Sequence, residues 1–140
     1  MLNPPFRSPR KKVGGLYHFG RLIDKIRLHL REELPQEYRP NFGLSAGLDD
    51  HLCGFLGVSH SDLIQQVRLG KTDDEIAEWC FSNGLRPNSI QRRIWNGFAE
   101  KFGWRDVAAP FMERVKIEEG LVHRDDLVTA FDLMDALEGR

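Results

Sequence analysis

Residues 41–55 read NFGLSAGLDDHLCGF, and within them Gly43-Leu44-Ser45-Ala46-Gly47 fits the pattern G-x-S-x-G. In α/β-hydrolases that pattern is the nucleophile elbow, a serine held on a strained strand-to-helix turn. The reading decides the fold, because a true elbow demands a parallel sheet with covering helices. Arg39-Pro40-Asn41-Phe42, just before it, offers no strand, and 140 residues are few for such an architecture. With 13 glycines and six serines, a shuffled chain carries the pattern roughly one time in twenty. The five residues are therefore read as a loop leading into a helix, and the α/β-hydrolase fold is rejected.

Outward from this loop, the chain is punctuated as helices. Leu16 to about Leu34 reads as the first, closed by Pro35, with a polar loop from Gln36 to Gly47 behind it. A short helix runs from about Leu48 to Leu56 and stops at Gly57. Ser59 or Ser61 caps the next, with Leu63, Ile64 and Val67 inward and Gly70 past its end. Thr72-Asp73-Asp74-Glu75 is a capping box, and its helix ends at Asn83-Gly84. Ser89 to Phe102 puts Ile90, Ile94, Trp95, Phe98 and Phe102 on one broad face expected to meet the core. A helix from Ala109 to Glu119 and a last one starting near Arg124-Asp125 complete the chain; the latter packs Leu127, Phe131, Met134 and Leu137. No strand and no internal repeat is found. The expectation is a single all-α domain over 1–140, with seven or eight short helices and an extended, basic N-terminal arm over 1–13.

Composition excludes several function classes. The chain is 41% hydrophobic and 29% charged, with net charge −1 and a pI near 6.5. No overall field draws it to nucleic acid or to a membrane surface. The charge is nevertheless uneven. Residues 1–31 hold eight Lys/Arg against Asp24 alone, a balance of +7, and residues 106–140 hold nine acids against four bases, a balance of −5. Such ends are expected to attract each other within the fold or across a homodimer, with an anionic partner for the basic end as the alternative. Cys53 and Cys80 form no C-x-x-C pair, which argues against a zinc or redox site. The start, MLNPPFRSPRKK, lacks the apolar run of a signal peptide, and no segment approaches the ~20 apolar residues of a membrane span. A cytoplasmic protein is expected.

Several segments resemble a known family. Arg7-Ser8-Pro9-Arg10, Gly14-Gly15, HFGRLIDKIR at 18–27, FLGV at 55–58, DDEIAEWCF at 73–81 and the closing D-x-x-D-x-x-E-G-R at 132–140 are similar to segments of a bacterial family known only as a domain of unknown function. The resemblance spans nearly the whole chain. It implies one bacterial domain, with no established activity and no catalytic residues to carry over.

Candidate sites come from the residues themselves. On the first helix, Leu16, Phe19, Leu22, Ile23, Ile26, Leu30 and Leu34 share one ~120° arc, while Tyr17 and Leu28 form a second apolar spot. Between them lie Gly20, Asp24, Arg27 and Arg31. A carboxylate and a guanidinium wedged between apolar surfaces must pair or bind something, because an isolated buried charge is costly. One reading is an Asp24–Arg27 pair that fixes helix packing. The other is a polar pocket floored by Gly20, in which Arg27 holds an anionic or carbonyl oxygen and Asp24 orients it or acts as base. His18, Arg21, Lys25, His29 and Glu32, on the opposite side, read as a solvated face, or as a basic stripe for an anionic partner. The aromatic residues sit at core spacings rather than among these bases, which argues against a nucleic-acid stacking surface.

Ser45 precedes a helix whose free N–H groups would suit an oxyanion, and His51, flanked by Asp49 and Asp50, supplies the residue types for nucleophilic catalysis. The competing reading is a helix-capping loop. Asp49-Asp50, Asp73-Asp74 and Asp125-Asp126 suit Ca²⁺ or Mg²⁺ in ligand type, but none lies in a D-x-D-x-D-G loop and each opens a predicted helix, where dipole compensation accounts for it. No other cofactor is indicated. Two functions survive. One is a hydrolase of a small ester or lactone, with Ser45 or a water attacking, His51 or Asp24 as base, and Arg27 or helix N–H groups at the oxyanion. The other is a non-catalytic helical module that binds a protein or a small anionic ligand through the Gly20–Asp24–Arg27 strip.

Overall fold

The arc of apolar side chains read from the first helix is the centre of the core. Leu16, Phe19, Leu22, Ile23 and Ile26 are wholly buried, and they meet Leu52 and Leu56, Leu63, Ile76 and Cys80, and Phe131 from later segments. The computed structural model describes residues 1–140, which form seven α-helices and one 3-10 helix. The helices are α1 (Phe19–Leu30), α2 (Leu48–Leu56), α3 (His60–Arg68), α4 (Asp73–Asn83), α5 (Ser89–Lys101), α6 (Ala109–Glu118) and α7 (Ala130–Leu137), with the 3-10 helix at Gln36–Asn41. The all-α expectation holds. α1 packs on α3, α3 also meets α2 and α4, and α7 packs on α5 and α6.

Local chemistry sets most of the boundaries. Capping boxes open α4 (Thr72 with Glu75), α5 (Asn88 with Gln91) and α7 (Thr129 with Asp132), each satisfying two backbone N–H groups. Ser59, not Ser61, caps α3 by accepting from the Asp62 N–H. At Gly84 a Cβ would collide with the Leu56 carbonyl oxygen, and Leu85 N–H donates to that same oxygen at 2.7 Å, so only glycine lets α4 close against the end of α2.

Four expectations are corrected. α1 is shorter than Leu16–Leu34, because His18 at φ 71° and Glu32 at φ 58° are left-handed and cannot continue a right-handed helix. The last helix begins at Ala130 rather than near Arg124; Arg124 instead pairs with Asp126 at 2.8 Å in a surface turn, so Asp125-Asp126 opens no helix. On α5 only Trp95 and Ala99, with Phe102 just beyond, enter the core, while Ile90, Ile94 and Phe98 are exposed. Most consequentially, His18, Arg21 and Lys25 are not solvated but buried, whereas His29 and Glu32 face solvent as expected.

What covers that side of α1 is the chain's own ends and the loop before α2. Phe6 from the N-terminal arm joins Leu28 and Leu34 in a second small cluster, with Tyr38 edge-on to Phe6 at 4.7 Å. Arg10 pairs with Asp132 at 2.7 Å and with Asp135 at 2.6 Å on α7, so the oppositely charged ends meet within one chain. No helix is long and apolar enough to cross a membrane.

Candidate functional site

The loop at 43–47 is held by the helix it precedes. Gly43 N–H donates to Asp49 at 3.0 Å and Ala46 N–H to Asp50 at 2.8 Å, two first-turn carboxylates reaching back over the α2 N-terminus. The segment before the loop is the 3-10 helix, not a strand. Ser45 is exposed at its tip, and its hydroxyl bonds to nothing in the chain. His51 turns away: its Nδ1 lies 2.8 Å from the Gly47 carbonyl, and its ring packs against Phe98 and Phe102 with centroids 5.1 and 5.4 Å away. No hydrogen bond joins Ser45 to His51, and Asp49 is committed elsewhere.

Asp24 and Arg27 lie together, as their spacing implied, but their principal partners come from other segments. Asp24 accepts from the Arg7 backbone N–H at 3.0 Å and from two nitrogens of its guanidinium, each at 2.9 Å. Arg7 also donates to Asp73 at 2.8 Å, and Arg27 reaches Asp73 at 2.9 Å, while the direct Arg27–Asp24 approach is 3.7 Å. The space above Gly20 is therefore filled by the chain itself, since a Cβ there would stand 3.0 Å from the Arg7 guanidinium carbon. Asp24 is 17% exposed and Arg27 32%. Removing Arg27 does not strand Asp24, because Arg7 remains.

The buried chemistry lies on the neighbouring face of α1. Asp49, at 2% exposure, sits 2.7 Å from His18 Nε2, accepts from Lys25 Nζ at 2.8 and 2.9 Å, and holds the Gly43 N–H. Burial alone would raise its carboxyl, but the Lys25 ammonium and the His18 ring outweigh it and hold Asp49 well below the usual carboxylate range. For His18 burial wins. Despite Asp49, desolvation pushes its imidazole from 6.5 down to about 4. A neutral His18 donates Nε2–H to Asp49, and its buried Nδ1 has no partner. Beside this cluster, Arg21 binds Glu138 through two nitrogens at 2.8 and 2.6 Å, and Tyr38 and Arg140 add 3.2 and 3.0 Å contacts to the same carboxylate. No local signal marks either pair, because the i, i+3, i+7 spacing of His18, Arg21 and Lys25 is equally that of a solvated face and their partners lie 24 to 117 residues away.

The His18 shift has a definite sign. Its folded-state pKa lies below the unfolded value, so the folded protein gains relative stability as pH rises through that window. Stability should fall as pH drops from about 6.5 to about 4, by on the order of 3 kcal/mol from His18 alone. His60, also lowered by burial, adds in the same direction. Urea denaturation at pH 7.0, 5.5 and 4.5 checks this, with His18→Asn, which tolerates the left-handed backbone, expected to shrink the slope. A midpoint independent of pH across that range refutes the neutral, buried assignment.

Outward from Asp49, aromatic rings lead to the surface. A Cβ at Gly43 would stand 2.9 Å from the His60 ring; Phe42 lies edge-on to His60 at 4.8 Å and stacks on His29 at 4.5 Å. His29 lines a surface cleft of about 590 Å³ together with Leu30, Glu32, Leu34, Arg39 and Arg68. Arg39 donates its Nε to the Leu34 carbonyl at 3.1 Å, which leaves its two terminal nitrogens free, and Arg68 has no partner in the chain. A second cleft, of about 410 Å³, is bordered by Arg7, Lys11, Asp24 and Arg140. Neither cleft is lined by Arg27, Ser45 or His51. The acidic pairs stay apart, and no group of three or more His, Cys, Asp or Glu side chains is placed to hold a metal ion.

A search of curated proteins finds no match to the chain. A family model described as "Domain of unknown function (DUF5069)" matches residues 3–140, and the chain belongs to that family.

Proposed function

We propose that this domain is a helical binding module for a small anionic ligand with an apolar body, taken up in the cleft between the C-terminal ends of α1 and α3. One observation carries the reading: His29, Arg39 and Arg68 converge on that cleft with no carboxylate paired to any of them, beside the apolar walls Leu30 and Leu34. Elsewhere the arginines near carboxylates are spoken for, as Arg7, Arg10, Arg21 and Arg140 illustrate. Cations also complement helix C-termini. That accounts for a base at each end, but it leaves the guanidinium forks free, and free forks suit a carboxylate or phosphate. Hydrolysis at Ser45 has less support, because His51 is bonded to Gly47 and Asp24 to Arg7.

The test is calorimetric titration with inorganic phosphate, butyl phosphate and butyrate. Butyl phosphate should bind more tightly than phosphate, since it adds contact with the leucines. Arg39→Gln and Arg68→Gln should each weaken it about tenfold or more, the scale of one charge-assisted hydrogen bond. Arg68, exposed and without a partner, can be replaced without moving the thermal midpoint, whereas Arg39→Gln also gives up the bond to the Leu34 carbonyl. Binding that neither variant changes, or no binding of any of the three probes, overturns the proposal. Turnover of short esters or lactones that Ser45→Ala abolishes would put the hydrolase reading in its place.

A further inference from the structure

α5 presents two apolar stripes: one is buried inside the chain, and the other stays largely exposed, with only Phe98 also meeting the His51 ring at 5.1 Å. Trp95 and Ala99, with Phe102 after them, are buried. Ile90, Ile94 and Phe98, spaced i, i+4, i+8, are 56%, 63% and 40% exposed. Three large apolar side chains aligned on one exposed helix face form a contiguous patch of the kind that marks interaction sites. Gly97 lies beside them, and nothing in the chain comes within 4 Å of where its Cβ would stand. A glycine inside a helix is destabilising relative to alanine, and here no contact within the chain offsets it.

The charges along this stripe say what fits it. Arg93 and Glu100 are both exposed, and neither has an ion-pair partner in the chain. Seven residues apart, they lie on the same edge of the stripe, within ~20° in azimuth and ~10.5 Å along the axis. A two-fold axis in the contact plane and across the helix reverses the helix direction while keeping each edge against the same edge of its mate. With that axis near residues 96–97, Arg93 faces the partner's Glu100 and Glu100 faces the partner's Arg93. The same operation sets Ile94 against the partner's Phe98 and brings the two Gly97 positions to the crossing point, where a missing side chain permits close approach. We propose that a second copy of this chain docks here, α5 against α5, antiparallel, in an isologous dimer. Charge self-complementarity singles out a second copy, because the opposed pair is supplied twice by one sequence.

Sedimentation equilibrium on the full chain, from about 1 μM to about 1 mM, tests it over the range of weak to moderate self-association. The expected result is a reversible monomer–dimer equilibrium that Ile94→Glu abolishes. Because Ile94 is mostly exposed, the variant should keep its far-UV dichroism and thermal midpoint as a monomer. Arg93→Glu and Glu100→Arg should each weaken the dimer several-fold, and the double swap should restore it. A single-chain mass at every concentration overturns the proposal. So does a dimer indifferent to Ile94→Glu, and a double swap no tighter than the single variants rules out the antiparallel register.

Discussion

Asp49→Ala is expected to cost about 3–5 kcal/mol of folding stability, the range for breaking a buried ion pair by removing one member. The size follows from what the carboxylate holds. Lys25, at 5% exposure, would be left with its ammonium in the interior and no counter-ion. His18 would lose the acceptor of its Nε2 proton, and the Gly43 N–H would lose its cap. Small domains are stable by only about 5–15 kcal/mol, so a large part of the margin would go. The neighbouring Asp50→Ala removes only the exposed bond to Ala46 N–H and should cost far less. A second variant separates a stranded charge from generic damage. In the Asp49→Ala background, Lys25→Met should recover part of the loss, because it removes the unpaired ammonium while filling the same space. Guanidinium denaturation reads all three, and a loss under about 1 kcal/mol for Asp49→Ala would show the cluster to be better solvated than its burial indicates.

The second large effect is expected at the other buried carboxylate. Glu138→Gln keeps shape and hydrogen-bonding capacity but removes the charge, leaving Arg21, at 3% exposure, with a neutral partner. A cost of about 2–4 kcal/mol is expected, between that of a lost charged hydrogen bond and that of a broken buried pair. The consequence reaches both ends of the chain, because Glu138 also receives Tyr38 and Arg140, and Asn3 N–H donates to its carbonyl at 2.9 Å. Tyr38 offers a readout that general destabilisation does not move. Burial and the Glu138 carboxylate both push its phenol above the ordinary tyrosine value. In Glu138→Gln that phenol should titrate at lower pH, measured by ultraviolet absorbance under folded conditions. An unchanged tyrosine titration would mean that the carboxylate does not face the phenol.

The variants above act on groups whose burial no helical wheel revealed, while much of the frame around them was legible. The capping box at Thr72 lies within four consecutive residues and forms as its spacing indicates. Phe19, Leu22, Ile23 and Ile26 turn inward because one 3.6-residue period aligns them. Gly43–Gly47 leads into α2 without a strand, as the lack of β-pattern before it implied. All of these depend on neighbours a few positions away, and sequence records such neighbours directly.

Tertiary structure decided the rest. α5 offered a broad apolar surface, and only the packing of Trp95 chose which part became core and which stayed exposed at Ile90, Ile94 and Phe98. Asp24 and Arg27 suggested a partnership at i, i+3, yet Arg7, 17 residues from Asp24, took the carboxylate. His18, Arg21 and Lys25 read as solvent-facing because charged side chains leave water only when paired. Their partners lie 31 residues away at Asp49 for His18, 24 for Lys25, and 117 at Glu138 for Arg21. Local periodicity thus determined that this chain is helical and where most helices begin. Which charged face entered the interior was set by carboxylates delivered from distant segments, because the free energy of burying a charge depends on its partner, and the partner's position is a property of the fold.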